Sequence, residues 1–243
     1  MRVRVTFSKQ GALRYIGHLD LHKLLERSIR RARLPLAYSQ GYHPQPKLNL
    51  AAALPLGFSS RAEVMDIWLK EDVEDVVSAL QASVPPGLTI LSAAQVDDRE
   101  PSLQTQVIAA EYQVEITEAP QSGEAGSARR PELVEGAGLT EKIASVMASE
   151  SIPRERRGKQ YDLRPLIEEL SLTPGPLSSP QAILPRRAHG LNGGAPTGRG
   201  EILIMRLTAR ECATGRPEEV LDELGIPIED SHIERTALIF KDK

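Results

Sequence analysis

Strand and helix patterns recur in both halves of this 243-residue chain, and they constrain its fold more than any other feature. Arg2–Phe7 alternates polar and apolar residues, which is typical of a half-buried strand. Between His18 and Arg33 the apolar residues recur at helical spacing, and Pro35 is expected to end that helix. The same criteria predict a helix at Glu71–Ser83 and strands at Leu36–Ser39, Leu48–Leu54, Glu63–Leu69 and Leu88–Val96.

The second half of the chain repeats much of this order. Helices are predicted at Leu139–Ala148 and Pro217–Leu224, and strands at Val107–Ile116, Glu201–Leu207 and Ile233–Phe240. Lys159–Leu170 fits either an extended segment or a helical turn. We therefore predict an α+β fold of two tandem ferredoxin-like (βαββαβ) units at residues 1–96 and 107–243, each with an antiparallel sheet and helices on one face.

Two segments without periodicity, near residues 119–138 and 173–200, are predicted to be flexible insertions. The second contains Gly193–Gly200, whose glycine spacing imitates a phosphate-binding P-loop. Arg199 and Gly200 occupy the positions where that motif needs Lys followed by Ser or Thr, so we interpret the segment as a plain loop.

The cysteine count and the hydropathy of the sequence exclude several classes of protein. The one cysteine, Cys212, allows no internal disulfide and fits a reducing compartment. One thiolate also cannot hold an iron–sulfur cluster or a cysteine-rich zinc site. No apolar run approaches the roughly 20 residues that cross a bilayer. We therefore expect a cytoplasmic protein with no membrane contact.

Charge is distributed unevenly along the chain. Residues 1–50 contain ten Lys and Arg residues against two acidic residues, a net charge of +8, although the whole chain has a net charge of −3. Such a basic segment is typical of a surface that binds a polyanion. The alternative is a solvated helix face that the acidic middle of the chain balances.

A loop rich in proline follows the first predicted helix, in the stretch SQGYHPQPKLNLAAALPLGF at residues 39–58. Its glycine and prolines predict a rigid exposed bend, which carries Tyr42, His43 and Lys47. Tyrosine can stack on a base and lysine can meet phosphate, as in single-stranded nucleic-acid recognition. Alternatively, the loop only turns the chain between strands and Tyr42 packs inward.

His18 and His22 lie one helical turn apart, the spacing at which two imidazoles can bind one metal ion. Leu19 stands where a zinc protease needs glutamate, and the sequence identifies no third ligand, although His43 or Asp20 could reach the site. The alternatives are a position beside the helix start, where the charge of Asp20 suits the dipole, and a role facing phosphate. We predict no metal site, no cofactor and no catalytic residue.

A second basic stretch, Arg154–Arg164, sets five cations and a tyrosine within eleven residues. Gly158 allows close backbone approach, and the planar guanidinium group of arginine matches phosphate geometry. We therefore add Arg156, Arg157, Lys159 and Arg164 to the candidate phosphate contacts. A solvated surface is the alternative interpretation.

The stretch TFSKQGALRYIGHLDLHKLLERSIRRARLPLAYSQGYHPQPKLNLAAALPLG, followed by AEVMDIWL, resembles a bacterial family of unknown function, the radical SAM-linked proteins. The resemblance is strongest over residues 4–70 and weaker from there to IERTALIF. It implies a radical SAM partner, fused to this domain or encoded beside it, and genes near those for ribonuclease E/G-type and ribosome-related proteins. The family loop tends to read F-N-P-H-P, whereas this chain has Tyr42-His43-Pro44-Gln45-Pro46, a difference that favours recognition over catalysis.

The leading hypothesis is a non-catalytic RNA-binding accessory module that acts with a radical SAM enzyme in tRNA or rRNA modification or processing. One alternative is an RNA-processing or RNA-modifying enzyme that uses His18, His22 and His43. The other is a protein–protein adaptor for a radical SAM partner, without RNA contact. The predicted nucleic-acid-binding residues are Arg14, His18, His22, Lys23, Arg27, Arg30, Arg31, Tyr42, His43, Lys47, Arg156, Arg157, Lys159 and Arg164.

Overall fold

Residues 1–116, 136–176, 199–210 and 213–241 are described by the structure, a computed structural model. The fold is α+β, with a large and mostly antiparallel sheet and few helices. Two compact units are present. The first contains residues 1–111 with the described residues of 209–213 and 234–243, and the second contains the described residues of 112–208 and 214–233. Two tandem ferredoxin-like units, divided near residues 97–106, stay a prediction.

The elements follow the chain in this order. The first half contains β1 (Arg2–Lys9), α1 (His18–Arg31), β2 (Leu48–Leu50), β3 (Ser59–Trp68), α2 (Val76–Gln81), β4 (Leu88–Val96), α3 (Leu103–Gln106) and β5 (Val107–Ile116). The second half contains α4 (Gly136–Ala148), β6 (Pro153–Arg156), β7 (Lys159–Asp162), β8 (Ile167–Pro176), β9 (Arg199–Arg210), β10 (Ala213–Thr214), α5 (Pro217–Leu224) and β11 (Ser231–Phe240).

In the first unit the strand order is β11-β3-β1-β4, and β2 also pairs with β3. β1 is antiparallel to β3 and β4, whereas β11 is parallel to β3. The apolar residues of β1 belong to one core with the buried face of α1, which comprises Val3, Val5, Phe7, Leu21, Leu25 and Ile29. Burial of each such aliphatic or aromatic side chain stabilises the fold by about 1.5–3 kcal/mol. This core therefore fixes α1 on the sheet.

In the second unit β9 pairs with β5 and β8, while β6 and β7 form a separate hairpin. Arg157 and Gly158 take positive φ angles of 52° and 75° at the hairpin turn. Helix α4 contacts α5 and β8. The two helices bury Leu139, Ile143, Val146, Val220, Leu221 and Leu224.

Helix α1 ends two residues earlier than predicted. Arg33 adopts a positive φ of 57°, and the Leu34 N–H donates to the Ile29 carbonyl at 3.2 Å. A left-handed residue just after a helix is a common stop, and glycine usually occupies that position. The left-handed backbone conformation of Arg33 therefore ends helix α1, two residues before Pro35.

Several predicted elements differ in extent from the observed ones, and the largest differences in the first unit are at Leu36–Ser39, α2 and β2. Leu36–Ser39 makes only isolated bridges, at Leu36 and Tyr38, instead of a strand. Helix α2 is shorter than Glu71–Ser83 because the Asp75 side chain accepts a hydrogen bond from the Ser78 N–H at 2.9 Å and caps the helix there. β2 stops at Leu50, four residues before the predicted strand does.

The predicted insertion at residues 173–200 is partly strand. β8 runs to Pro176 and β9 starts at Arg199, and these two residues are partners in the antiparallel register. Residues 177–198 lie outside the described part of the chain, as do residues 119–135 of the other predicted insertion. Lys159–Leu170 resolves into β7, a 3-10 turn at Arg164–Leu166 and the start of β8.

Candidate nucleic-acid interface

Helix α1 lies along the segment that contains the proline-rich loop. His22 Nε2 is 3.3 Å from the Leu48 carbonyl oxygen, and the Arg30 guanidinium lies over the Tyr38 ring at 5.7 Å from its centroid. The two contacts are two helical turns apart on α1. Their partners lie on either side of the loop, Tyr38 before it and Leu48 after it. The loop is therefore anchored beside the helix.

Hydrogen bonds also hold the base of the loop. The Ser39 N–H donates to the Gln45 carbonyl at 2.8 Å, and the Gln45 N–H donates to the Ser39 hydroxyl at 2.9 Å. One step further out, the Lys47 N–H donates to the Ala37 carbonyl at 2.9 Å. The chain between these bonds, residues 40–44, forms the tip, where Gly41 has a φ of 134°. A loop closed in this way loses little conformational freedom when it binds a ligand.

Tyr42 stands at the tip with its whole side chain exposed, at 102% relative accessibility. His43 and Lys47 are exposed as well. The alternative in which Tyr42 packs inward is therefore wrong. An exposed aromatic ring on a closed loop offers a flat face on which a base can stack.

The cations of α1 differ in how they are held. Lys23 and Arg27 are exposed. Arg30 pairs with Glu26 at 2.6 Å, and Arg31 donates to the Ser83 carbonyl at 3.0 Å. Lys23 and Arg27 are therefore the helix positions best placed to meet phosphate, whereas Arg30 and Arg31 already have partners in the protein.

Part of the positive charge of residues 1–50 lies inside the fold. Arg2 and Lys9 are buried, and Arg4 is 20% exposed and hydrogen-bonded to Asp66 at 2.9 Å. Near the start of α1, the Arg14 guanidinium lies over the Tyr15 ring at 4.7 Å from its centroid. The net charge of +8 counted along the sequence therefore exceeds the charge that the surface presents.

The second basic stretch lies in the other unit, and most of its cations have partners there. Arg156 donates to Glu219 at 2.7 Å and lies over the Tyr161 ring at 4.8 Å. Arg164 donates to the carbonyls of Ile167 and Met147, at 3.0 Å and 2.9 Å. Arg157 and Lys159 are exposed at the β6–β7 turn. Arg154 likewise pairs with Asp222 and Glu223, both at 2.6 Å.

A polar cluster that the sequence motifs do not indicate as a whole lies at one end of the first unit's sheet. We call it the Lys9 cluster, and it consists of Lys9, His18, His22, Glu63 and Arg235. Arg235 and Glu63 form a buried ion pair, with Nε 2.9 Å from Oε1 and a second, very short contact between Nη2 and Oε2. The alternation Val3, Val5, Phe7 continues inward to Lys9, a signal in the sequence that could have revealed this buried lysine.

Burial shapes the proton affinities in this cluster. The pKa of Lys9 is lowered, mainly because its charged form loses solvation, with Arg235 adding repulsion and Glu63 opposing the shift. The pKa of His18 is also lowered, again mainly by burial and then by His22, while Glu63 opposes and Arg235 adds to the effect. Both side chains therefore bind protons less tightly than they would in water.

Within the described residues, no group of three His, Cys, Asp or Glu side chains is arranged to hold a metal ion. His43 lies in the exposed loop, and Cys212 falls outside the described part of the chain. No helix in the described ranges is long and apolar enough to cross a bilayer.

Comparison with known proteins shows a family but no activity. A family of uncharacterized proteins conserved in bacteria (DUF2344) matches over residues 2–192. No curated protein matches the chain. Among solved structures, a chain of the "Crystal Structure of a Cbf5-Nop10-Gar1 Complex" is similar at 11% identity and a TM-score of 0.42, and the match covers 99% of this chain and 50% of that one. This chain thus spans half the length of that solved chain. Because the family match covers most of its length, the chain belongs to the DUF2344 family of conserved bacterial proteins.

Proposed function

We propose that this protein is a non-catalytic RNA-binding module that acts with a radical SAM enzyme in the modification or processing of tRNA or rRNA. The observation that carries the proposal is Tyr42, which is fully exposed at the tip of a loop whose base is hydrogen-bonded. Lys23 and Arg27 of the adjoining helix are exposed as well, and so is Lys47 at the end of the loop.

These groups suit single-stranded RNA, such as a loop or a bulge in a folded RNA. An exposed tyrosine can stack on an unpaired base whatever its identity, and each base stacked contributes about 1–3 kcal/mol. Lysine and arginine add attraction to phosphate that depends on salt but not on sequence. The combination predicts binding to unpaired RNA with modest sequence preference.

The radical SAM partner is proposed from sequence. Residues 4–70 resemble the radical SAM-linked proteins, and the one cysteine of this chain cannot hold the cluster that such chemistry needs. The reaction would therefore belong to the partner, and this chain would hold the RNA.

A second candidate function is that of a protein–protein adaptor, which three exposed apolar side chains favour. Tyr15, Leu19 and Leu56 are 62%, 74% and 63% exposed, and the Gly57 N–H donates to the Arg14 carbonyl at 2.8 Å. That bond brings the segment of Leu56 next to the segment of Tyr15. Binding through such a surface would depend little on salt, unlike RNA binding through cations.

RNA capture from cells tests the proposal. The protein is crosslinked to RNA in living cells and purified under denaturing conditions, and the attached RNA is sequenced, with Tyr42→Ala treated in parallel. We expect tRNA or rRNA fragments enriched at unpaired positions, and a clear loss of yield for Tyr42→Ala. A wild-type yield no higher than that of an unrelated protein of similar charge would favour the adaptor instead.

A further inference from the structure

Strand β4 is the outer strand of the first unit's sheet, and part of its edge is open. Within the described residues β4 pairs with β1 alone. Near its start the edge is occupied, because the Ile90 N–H donates to the Gln81 side chain of α2 at 2.7 Å. Leu91 follows as the extra residue of a β-bulge. Beyond the bulge, Ser92–Val96 hydrogen-bonds to no described residue outside β1.

The open segment of β4 lacks the features that usually protect an edge strand. Native proteins protect exposed edges with charged side chains, prolines or bulges, because the unpaired backbone groups there can pair with another chain. Ser92–Val96 reads SAAQV and contains neither a charge nor a proline. An extended peptide can therefore add to the sheet at this segment as a further strand.

A cavity of about 180 Å³ lies beside the open segment. Its apolar lining comes from the starts of β1 and α2 and from β4, and comprises Met1, Val3, Val73, Val76, Val77 and Ala93. Gln95 also lines the cavity and is the register partner of Val3, a core residue, so the cavity is on the core face of the sheet. Small-molecule sites usually measure about 300–1,000 Å³. This smaller cavity suits one aliphatic side chain of a bound peptide.

Acidic side chains stand at the mouth of the cavity. The segment Glu71–Asp75 contains four exposed acidic residues, preceded by one exposed lysine, Lys70, and both Glu74 and Asp75 line the cavity. Asp75 accepts a hydrogen bond from the Ser78 N–H and caps α2. Glu74, in contrast, makes no hydrogen bond or ion pair with any other described residue. Its carboxylate is therefore available to a cation of a ligand.

We propose that the open edge Ser92–Val96 and the adjoining cavity bind an extended, basic segment of a partner protein. That segment pairs with β4, places one aliphatic side chain in the cavity and carries Lys or Arg beside this anchor. Alternate residues of a strand share a face, so cations two positions before and after the anchor lie on the side of Glu74. The acidic mouth repels phosphate, which excludes RNA as the ligand here. The inference does not rest on the RNA binding proposed above.

Titration of the whole chain with short labelled peptides tests the site. The probes have blocked termini and the core Lys-Thr-X-Thr-Lys, in which the anchor X is Gly, Ala, Val or Leu. We expect saturable binding of the Val or Leu peptide, about 10- to 100-fold tighter than that of the Gly peptide, the gain from burying one aliphatic side chain. Exchange of both peptide lysines for glutamate should abolish the binding.

Variants of the protein locate the anchor and the cation. Ala93→Leu fills the cavity and should weaken binding of the Val peptide about tenfold or more. Ala82→Leu, at an exposed position that does not line the cavity, should bind as wild type does. Glu74→Gln should weaken binding by about 2- to 5-fold, as expected for an exposed ion pair. Glu141→Gln, an exposed position of the second unit, should have no effect.

Hydrogen exchange shows where the peptide lies. The Val peptide should slow exchange of the amides in Ser92–Val96, and Ala93→Leu should remove this protection. If Ala93→Leu fails to fold, the comparison of the Gly and Val peptides on wild type decides. Absence of saturable binding, equal binding of these two peptides, or protection confined to other segments would overturn the proposal. Protection of Ser92–Val96 that grows with protein concentration in the absence of peptide would overturn it too, because the occupant would then be a second copy of this chain.

Discussion

Arg2 donates two hydrogen bonds to Oδ2 of Asp66, from Nε at 2.8 Å and from Nη2 at 2.5 Å, and both side chains are buried. The same guanidinium also donates to the carbonyls of Glu100 and Pro101. Arg4 reaches Oδ1 of Asp66 at 2.9 Å, and this hydrogen bond is the main cause of the raised pKa of Arg4. One buried carboxylate therefore holds two arginines of β1.

Replacement of Asp66 should be among the most damaging changes in the first unit. Asp66→Leu removes the carboxylate that pairs with the buried Arg2, and loss of one member of a buried pair costs about 3–5 kcal/mol. Denaturant unfolding monitored by the fluorescence of Trp68, over which Arg2 lies at 5.2 Å, measures the effect. Glu26→Leu is the matched control, because its pair with the 56%-exposed Arg30 should be worth about 1 kcal/mol or less. Similar losses in both variants would contradict the importance of burial.

This pair also shows where the sequence is informative and where it is not. Alternation along Arg2–Phe7 predicts a half-buried strand, and the structure has a strand at Arg2–Lys9. The pattern gives no sign that Arg2 is buried, because its partner Asp66 lies 64 residues away and meets it only through the β1–β3 register. Long-range pairing of charges is a property of the folded chain and leaves no local periodicity.

The same limit applies to the candidate interface. The proline-rich loop was identifiable because glycine, proline and tyrosine act locally, and Tyr42 is exposed as an interface requires. The helix cations were not distinguishable, since only the structure shows that Arg30 and Arg31 have protein partners while Lys23 and Arg27 are simply exposed. Exchange of Arg30 or Arg31 would therefore mix effects on stability with effects on binding.

Two glycines with positive φ should respond differently to alanine. Gly87 has a φ of 92°, and a Cβ atom there would lie 2.7 Å from the Gln10 carbonyl oxygen, on backbone that cannot easily move. Gly158 has a φ of 75° but open space around it. Both changes strain the backbone by about 1–3 kcal/mol, and Gly87→Ala adds a clash. Thermal unfolding should therefore show a larger loss for Gly87→Ala, and equal losses would contradict the close approach of Gln10.

Asp162 should make the second unit sensitive to acid. Its Oδ1 accepts hydrogen bonds from the Ile152 N–H at 2.8 Å and the Arg164 N–H at 3.0 Å, and the first of these is the main cause of its lowered pKa. A carboxyl group whose pKa is depressed on folding stabilises the protein above its unfolded pKa, near 3.8. That stabilisation is lost as the pH falls through the lower pKa of the folded state.

Unfolding measured across the acidic range tests this dependence. Asp162→Asn should be less stable than wild type at neutral pH, and the difference should shrink as the pH falls below 3.8. Glu155→Gln, at an exposed position in the same hairpin, should show no such convergence. A constant difference between Asp162→Asn and wild type at every pH would show that the carboxylate charge plays no part.

RNA binding by the first unit, through Tyr42 and nearby cations, is tested most directly by the salt dependence of RNA affinity. The measurement compares wild type, the triple variant Lys23→Ala/Arg27→Ala/Lys47→Ala, Tyr42→Ala, and the charge control Lys70→Ala on one unstructured oligonucleotide. Each cation in contact with phosphate contributes about 0.7–0.9 to the slope of log affinity against log salt. We predict that the triple variant binds more weakly with a slope shallower by roughly 2 to 3. Tyr42→Ala should lose about 1–3 kcal/mol equally at every salt concentration, and Lys70→Ala should match wild type. Absence of RNA binding by wild type, or wild-type affinity and slope in the triple variant and Tyr42→Ala, would contradict the claim.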